Sequence, residues 1–181
     1  MLKAGIDFSM SSPAITVGKS LNYTQDCKSF YYTDKKSLEG KFGTNIYGMM
    51  TLPYEHQMER FHNITEWALS ILKQFKVVDV CLEGYSMGSK GTVFNIGENT
   101  GILKHTMWIN NISFITPAPT QVKKYFTGKG NANKEVMYDS FYDQTNVDLL
   151  SIFNKTSKTS NPISDIVDSY AMLSYGINGN K

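Results

Sequence analysis

The sequence predicts an α/β domain whose mixed sheet has three antiparallel strands followed by two parallel strands, with helices on both faces. Two observations lead to this class. Within residues 2–33, runs rich in β-forming residues alternate with short polar turns, which is typical of an antiparallel meander. After Pro53, helical and strand patterns alternate, which is typical of parallel strands connected through helices.

The strands are predicted from β-forming runs that end at turn residues. The apolar run Val77–Glu83, for example, is predicted as a buried strand that stops at Gly84. The stretch 34–52 contains three glycines and has no clean period, so a loop is predicted there, within a variable strand and loop region over 20–52. The five predicted strands are 2–9, 13–19, 28–33, 77–83 and 112–116.

The helices are predicted from apolar residues that recur at spacings of three and four, and from their end residues. Thr120 and Asn133 are typical N-caps, and Pro162 fits the first turn of the last helix. Gly128 and Gly176 are typical of the position just after a helix. The predicted helices are 54–75, 91–109, 121–127, 134–145 and 162–175, with a polar loop over 154–161 and a flexible tail over 176–181.

Length and composition limit the class of protein. A chain of 181 residues can bury its own core, and contents of 41% hydrophobic and 19% charged residues exclude a disordered chain or a coiled coil. No apolar stretch is long enough to cross a bilayer, and Asp7 interrupts the first apolar run before a secretion signal can form. Cys27 and Cys81 are expected to be reduced thiols. We therefore expect a cytoplasmic protein without a membrane partner.

Four carboxylates fall at positions where the predicted topology brings side chains together. Asp7 lies midway along or near the end of the first strand, Glu83 ends the strand 77–83, and Asp165 and Asp168 are three apart on one face of the last helix. Each acid alone fits an ordinary strand-end or helix-start residue. Together they predict an all-oxygen site for Mg²⁺ or Mn²⁺, because buried like charges repel unless a cation lies between them. The three histidines show no zinc-ligand spacing.

Basic residues concentrate in one segment, although the formal net charge is only +2. The segment Ile115–Lys134 contains no acidic residue. A basic segment beside an acidic site is typical of an enzyme that acts on a polyanion, and a solvated lysine face is the alternative. The turn Gly128–Asn133 exposes backbone donors that suit a phosphate, but it is not a Walker loop. The lysines of this segment are Lys123, Lys124, Lys129 and Lys134.

Four blocks, in order, resemble the RuvC Holliday junction resolvases, and most closely their phage-type branch. The resemblance covers about residues 3–19 and 77–175 and implies an RNase H-like fold, one nuclease domain over 1–181, and a homodimer that cleaves four-way DNA junctions. A phage origin would place the protein in the cytoplasm of the host. The blocks are Gly-Ile-Asp-Phe-Ser over 5–9, Leu-Glu-Gly-Tyr over 82–85, Pro119–Lys124 with Gly128–Lys134, and Asp165–Ala171.

The resemblance also assigns roles to individual residues. It implies that Asp7, Glu83, Asp165 and Asp168 are the metal ligands, with two Mg²⁺ per site and Mn²⁺ as a substitute. Lys134 would be catalytic, with an ordinary first-turn helix lysine as the alternative. Where the bacterial members place a wedge aromatic, this chain has Ser86, so Tyr85 and Met87 are the candidates to replace it. The residues predicted to contact DNA are Tyr85, Lys90, Lys123, Lys124, Lys129 and Lys134.

Other assignments stay open from the sequence. Gly97 and Gly101 share one face of the helix 91–109, which fits either a dimer interface or a close contact with the sheet. The run from Asp7 to Ser12 also resembles the first phosphate loop of actin-like ATPases and sugar kinases, although the chain lacks their second domain. A branched-DNA-binding protein without catalysis and a ribonuclease acting on RNA–DNA hybrids are the remaining alternatives.

Overall fold

The computed structural model describes residues 1–84 and 93–179 and shows a mixed seven-stranded sheet. In spatial order the strands are β4-β5-β3-β2-β1-β6-β7. The strands are β1 (Lys3–Asp7), β2 (Ala14–Gly18), β3 (Cys27–Thr33), β4 (Gly40–Phe42), β5 (Ile46–Met50), β6 (Asp79–Leu82) and β7 (Ser113–Ile115). The helices are α1 (Tyr23–Asp26), α2 (Gln57–Gln74), α3 (Val93–Ile109), α4 (Pro119–Thr127), α5 (Lys134–Thr145), α6 (Leu149–Phe153) and α7 (Ile163–Asn178).

Strand β1 lies in the middle of the sheet and sets its geometry. It pairs antiparallel with β2 and parallel with β6, and β2 pairs antiparallel with β3. Strand β7 adds parallel to β6. The predicted three antiparallel strands and two parallel strands are therefore all present, with the predicted pairing directions.

Residues 34–52 are not the predicted loop, because they contain strands β4 and β5. Strand β5 runs parallel to β3 and pairs antiparallel with β4, which raises the strand number from the predicted five to seven. The glycines in this stretch, which led to the loop prediction, are needed for close packing and for turns. A Cβ at Gly48 would lie 2.0 Å from the carbonyl oxygen of Leu38, and Gly43 has a φ of +57°.

Several helices differ from the prediction. Helix α2 begins at Gln57 rather than at residue 54, and α1 and α6 are unpredicted short helices. Helix α4 begins at Pro119 after Ala118, so Thr120 is inside it rather than its cap. Helix α7 continues through Gly176 to Asn178, so the predicted flexible tail is helical over its first three residues. Gly176 serves packing instead of termination, since a Cβ there would lie 2.9 Å from that of Cys81.

Helices cover both faces of the sheet, as predicted. One buried cluster joins α2 and α3 to the sheet and includes Leu72 and Leu103. The other joins α4, α5 and α7 to the opposite face and includes Phe126, Phe141 and Tyr170. Both cysteines are buried and free. Among the described residues, none of the helices has the length and apolar character needed to cross a membrane.

Candidate active site

Asp7 and Glu83 lie next to each other at one edge of the sheet. Ile6 of β1 is in register with Leu82 of β6, and the backbone N–H of Glu83 donates to the carbonyl oxygen of Ile6 over 3.3 Å. Because the two strands are parallel, the residues that end them meet at the same edge. Both acids line a cleft of about 330 Å³.

Helix α7 brings the other two acids to this edge by packing directly on β1. At Gly5 a Cβ would lie 2.1 Å from the backbone nitrogen of Leu173 and 2.2 Å from the carbonyl oxygen of Ser169, so only glycine permits this approach. Asp165 and Asp168 lie in the first half of α7. The buried Ser12 hydroxyl, on the β1–β2 turn, donates to Asp165 Oδ2 over 2.7 Å and fixes that carboxyl.

Burial raises the pKa values of all four carboxyls, and repulsion by neighbouring acids adds to it for Asp7 and Asp168. For Asp7 the pKa is well above its usual range, because of burial first and then of Asp168, Glu83 and Asp165, with Lys134 acting in the opposite sense. Burial and then Glu83 raise the pKa of Asp168 to about 7. Burial also raises the pKa values of Glu83 and Asp165. The structure therefore brings together the four acids that the sequence analysis selected.

The donor chemistry of this cluster fits a hard divalent cation. All four side chains offer carboxylate oxygens, which Mg²⁺ and Mn²⁺ prefer, and a cation would offset the repulsion that raises the pKa values of Asp7 and Asp168. Within residues 1–84 and 93–179, however, no group of three or more His, Cys, Asp or Glu side chains is already arranged to hold a metal ion. Coordination by all four acids would require their side chains to turn toward a common point.

Two of the predicted lysines act on the acids. Lys123 on α4 lowers the pKa of Glu83, as does Lys134 at the start of α5, and both oppose the raised pKa of Asp168. The ammonium group of Lys134 also donates to Ser164 Oγ over 3.1 Å. Lys124 and Lys129 are exposed on α4 and in the turn after it. Asn133 caps α5 as predicted, since its side chain accepts from the N–H of Val136.

Other predicted site residues lie outside the described residues. Tyr85 and Lys90, predicted to contact DNA, fall within 85–92, as do Ser86 and Met87 at the wedge position. The roles assigned to them therefore stay predictions.

Sequence analysis missed two side chains that the structure places at the site. Ser12, which the kinase-like interpretation put in a phosphate loop, binds Asp165 instead. Arg60 of α2 lines the cleft that holds Asp7 and Glu83. A signal for it was available, because Arg60 is the only arginine in the sequence.

Comparison with known proteins gives one consistent result. Residues 39–165 match the family model described as crossover junction endodeoxyribonuclease RuvC. That range contains Glu83, Lys134 and Asp165 and leaves Asp7 and Asp168 outside it. A protein with the same description from Brachyspira hyodysenteriae is 33% identical over 69 residues, which are 37% of this chain and 42% of that protein. The aligned part thus spans less than half of this relative.

The fold is similar to two solved structures over nearly its whole length. The structure of Thermus thermophilus RuvC shares 20% identity with a TM-score of 0.59, covering 99% of this chain and 97% of that one. The T. thermophilus RuvC in complex with Holliday junction substrate shares 18% identity with a TM-score of 0.63, covering 99% and 96%. These likenesses confirm the predicted RNase H-like α/β fold.

Proposed function

Because this chain belongs to the crossover junction endodeoxyribonuclease RuvC family, we propose that it resolves four-way or other branched DNA junctions by metal-dependent, paired phosphodiester hydrolysis. The observation that carries the proposal is the convergence of Asp7, Glu83, Asp165 and Asp168 at one sheet edge, beside Lys123 and Lys134. Acids that repel one another in a half-buried cleft, next to cations that suit a polyanion, are expected of a nuclease. The phage-type branch within the family stays a prediction.

The four acids would hold Mg²⁺, two ions per site, with Mn²⁺ as a substitute. Metal bound there would orient the scissile phosphate, activate water and stabilise the leaving oxygen. The chain's own residues prepare the site. Ser12 fixes one oxygen of Asp165, and the hydroxyl of Ser164 anchors Lys134. Lys134 is thereby held where its charge counters the acids and would counter the negative charge of a phosphate.

A direct test compares three labelled substrates: a four-way junction, a duplex of matched sequence and an RNA–DNA hybrid, each with Mg²⁺ and with EDTA. We expect paired nicks in the junction only, and only with Mg²⁺. Cleavage of the hybrid alone would favour the ribonuclease alternative. Binding without cleavage under every condition would favour a non-catalytic branched-DNA-binding protein.

The kinase-like alternative receives no support from the structure. In that interpretation the residues after Asp7 would receive a phosphate, but the buried hydroxyl of Ser12 already donates to Asp165. A binding assay with ATP would check this point. We expect no binding of ATP at millimolar concentration.

The lysines of α4 are expected to set the salt dependence of DNA binding. Lys123→Ala and Lys124→Ala should each weaken binding to all DNA substrates, because each removes a phosphate contact. The plot of the logarithm of the binding constant against the logarithm of salt concentration should become less steep by about 0.9 per contact for duplex DNA. Lys41→Ala is the matched control, since Lys41 is exposed on edge strand β4 at the opposite end of the sheet order. Unchanged slopes in both α4 variants would assign these lysines to a solvated face.

We also propose a homodimer, because resolving a junction requires two nicks related by two-fold symmetry, and one acidic cluster supplies one nick. Helix α3 offers a surface for it. On one of its faces Phe94 and Trp108 are exposed, 80% and 71% accessible, and Gly97 and Gly101 between them are half-buried. No described atom lies within 4 Å of a Cβ built at Gly97 or Gly101, so these glycines do not serve the alternative close contact with the sheet.

Gly101→Leu should separate the subunits by blocking close approach of two α3 helices. Light scattering at micromolar concentration should show a dimer for the wild type and a monomer for this variant, which should also lose paired nicking. Glu66→Leu, at an exposed position of α2, is the control for adding leucine to a helix surface. A wild type that is monomeric both free and on a junction would refute the dimer. A Gly101→Leu protein that still dimerises would place the interface elsewhere.

A further inference from the structure

Arg60 is held in a fixed position from two sides. One of its terminal nitrogens, Nη2, donates to the carbonyl oxygen of Met10 over 2.8 Å, and its guanidinium carbon lies 5.2 Å from the centroid of the Tyr54 ring. Among the described residues, no carboxylate forms an ion pair with it, and one of its five N–H donors has a protein acceptor. A guanidinium that is held in place and still has N–H donors without an acceptor is suited to an anionic ligand with two neighbouring acceptor oxygens.

The position of Arg60 connects two cavities. It lines the cleft that contains Asp7 and Glu83, and it also lines a second cavity of about 190 Å³. Met10 and Ser11 of the β1–β2 turn line both cavities as well. A ligand that reaches the acids therefore has the second cavity beside it, with Arg60 between the two.

The walls of the second cavity match the chemistry of a nucleobase. Tyr32, Tyr54 and Leu52 supply aromatic and aliphatic surface, and Asp34 and Asn63 supply polar groups. Tyr32 is rigidly placed, because its ring stacks on Trp67 at 5.1 Å and its hydroxyl accepts from the N–H of Leu52. The volume suits one ring system, since sites for drug-sized ligands measure about 300–1,000 Å³.

The positive charges around the acidic site suggest how DNA could reach this cavity. The acids repel a phosphate backbone, and Lys123 and Lys134 counter them from helices on one face of the sheet. Arg60 belongs to α2, which packs on the opposite face. Cations from both helical layers thus flank the acidic edge, as a strand crossing that edge would require.

We propose that Arg60 and the second cavity form a nucleotide-binding subsite next to the cleavage site. Arg60 binds the phosphate of the nucleotide beside the scissile phosphodiester, and the base of that nucleotide enters the cavity against Tyr54. This inference rests on the proposed function. It adds a residue-level source of base preference at the cut, because the cavity can distinguish ring size and hydrogen-bonding edge.

The test combines protein variants with abasic substrates. Junctions carrying a single abasic nucleotide at each position around the mapped cut are cleaved by the wild type, Tyr54→Ala, Arg60→Lys and Arg60→Gln. In the wild type, one abasic position should slow cleavage about tenfold, the size of one lost base–aromatic stack. In Tyr54→Ala the same abasic site should change the rate less than about twofold, since the contact is already lost.

Arg60 is tested by its charge and by its shape. Both Arg60→Gln and Arg60→Lys should raise the KM for intact junction about tenfold, because lysine keeps the charge but not the planar fork. The melting temperature should fall by no more than about 2–4 °C, the effect of one lost hydrogen bond in a domain of this size. Lys28→Gln is the control, because Lys28 likewise places a cation over an aromatic ring, that of Phe75. The cavity beside Lys28 is lined by none of the four acids, so this variant should leave the KM unchanged.

The outcomes separate this inference from the proposed function. If the wild type cleaves junctions while the Tyr54 and Arg60 variants match it in KM, cut position and abasic penalties, the subsite is refuted and the nuclease assignment stands. If the wild type cleaves no branched DNA with Mg²⁺ or Mn²⁺, both are refuted. A base-dependent cut that becomes uniform in Tyr54→Ala supports the subsite.

Discussion

Asp7→Asn should abolish junction cleavage and leave junction binding intact. The substitution keeps the shape of the side chain and removes the ligand charge, so we expect a loss of about 10³-fold or more in the single-turnover rate, equivalent to ~4 kcal/mol at the transition state. We propose that binding depends on the lysines and Arg60 rather than on the acids. The dissociation constant of Asp7→Asn for the junction, measured by gel shift with Ca²⁺ in place of Mg²⁺, should not rise above that of the wild type.

The same variant has an expected effect on stability. Without metal, partial burial disfavours the charged form of Asp7, and Asp168, Glu83 and Asp165 repel it, so its neutral analogue should melt a few degrees higher in EDTA. With Mg²⁺ the order should reverse, because only the wild type then gains from the full ligand set. A differential scanning measurement with and without Mg²⁺ would show this crossing.

Asp79→Asn provides the matched control, because it makes the same chemical change at the end of strand β6 that lies farther from Glu83. Asp79 forms an ion pair with Lys3 at 2.8 Å. The Asp79→Asn variant should cleave junctions at the wild-type rate, and Mg²⁺ should raise its melting temperature as much as that of the wild type. Cleavage by Asp7→Asn near the wild-type rate, or loss of its junction binding, would contradict the assignment of the acids.

The proximity of the four acids could be predicted from the sequence because its signals are local and topological. Asp7 ends strand β1 and Glu83 directly follows strand β6, and parallel neighbours bring strand ends together, so the proximity of the two acids follows from element order. Asp165 and Asp168 share a helix face by their spacing alone. None of these inferences requires knowledge of which side chains pack elsewhere.

The parts that were missed depend on contacts distant in sequence. Gly48 is small because Leu38 and Tyr31 occupy the space of its side chain, and Gly176 is small because Cys81 does. Within the local sequence, both positions look like turns or helix ends. Arg60 was missed for the same reason, since its role depends on Met10, fifty residues away in the chain.

Gly5→Ala should prevent folding or reduce stability by more than any other single change considered. A Cβ at Gly5 would meet the backbone of Ser169 and Leu173 at 2.2 and 2.1 Å, and no side-chain rotation relieves a clash with backbone atoms. Helix α7 packs on the central strands β1 and β2, so it must move away from the middle of the sheet. We expect a cost of at least about 4–5 kcal/mol, a large share of the stability of a domain.

Urea unfolding followed by circular dichroism measures this cost, with Gly97→Ala as the control. No described atom lies within 4 Å of a Cβ at Gly97, and alanine in a helix interior should stabilise the fold by about 1 kcal/mol. The acids connect this packing to function, because α7 carries Asp165 and Asp168 to the end of β1. Any Gly5→Ala protein that folds should bind Mg²⁺ more weakly, since retreat of the helix separates both acids from Asp7. A variant with wild-type unfolding and metal binding would show that α7 can approach β1 without a glycine.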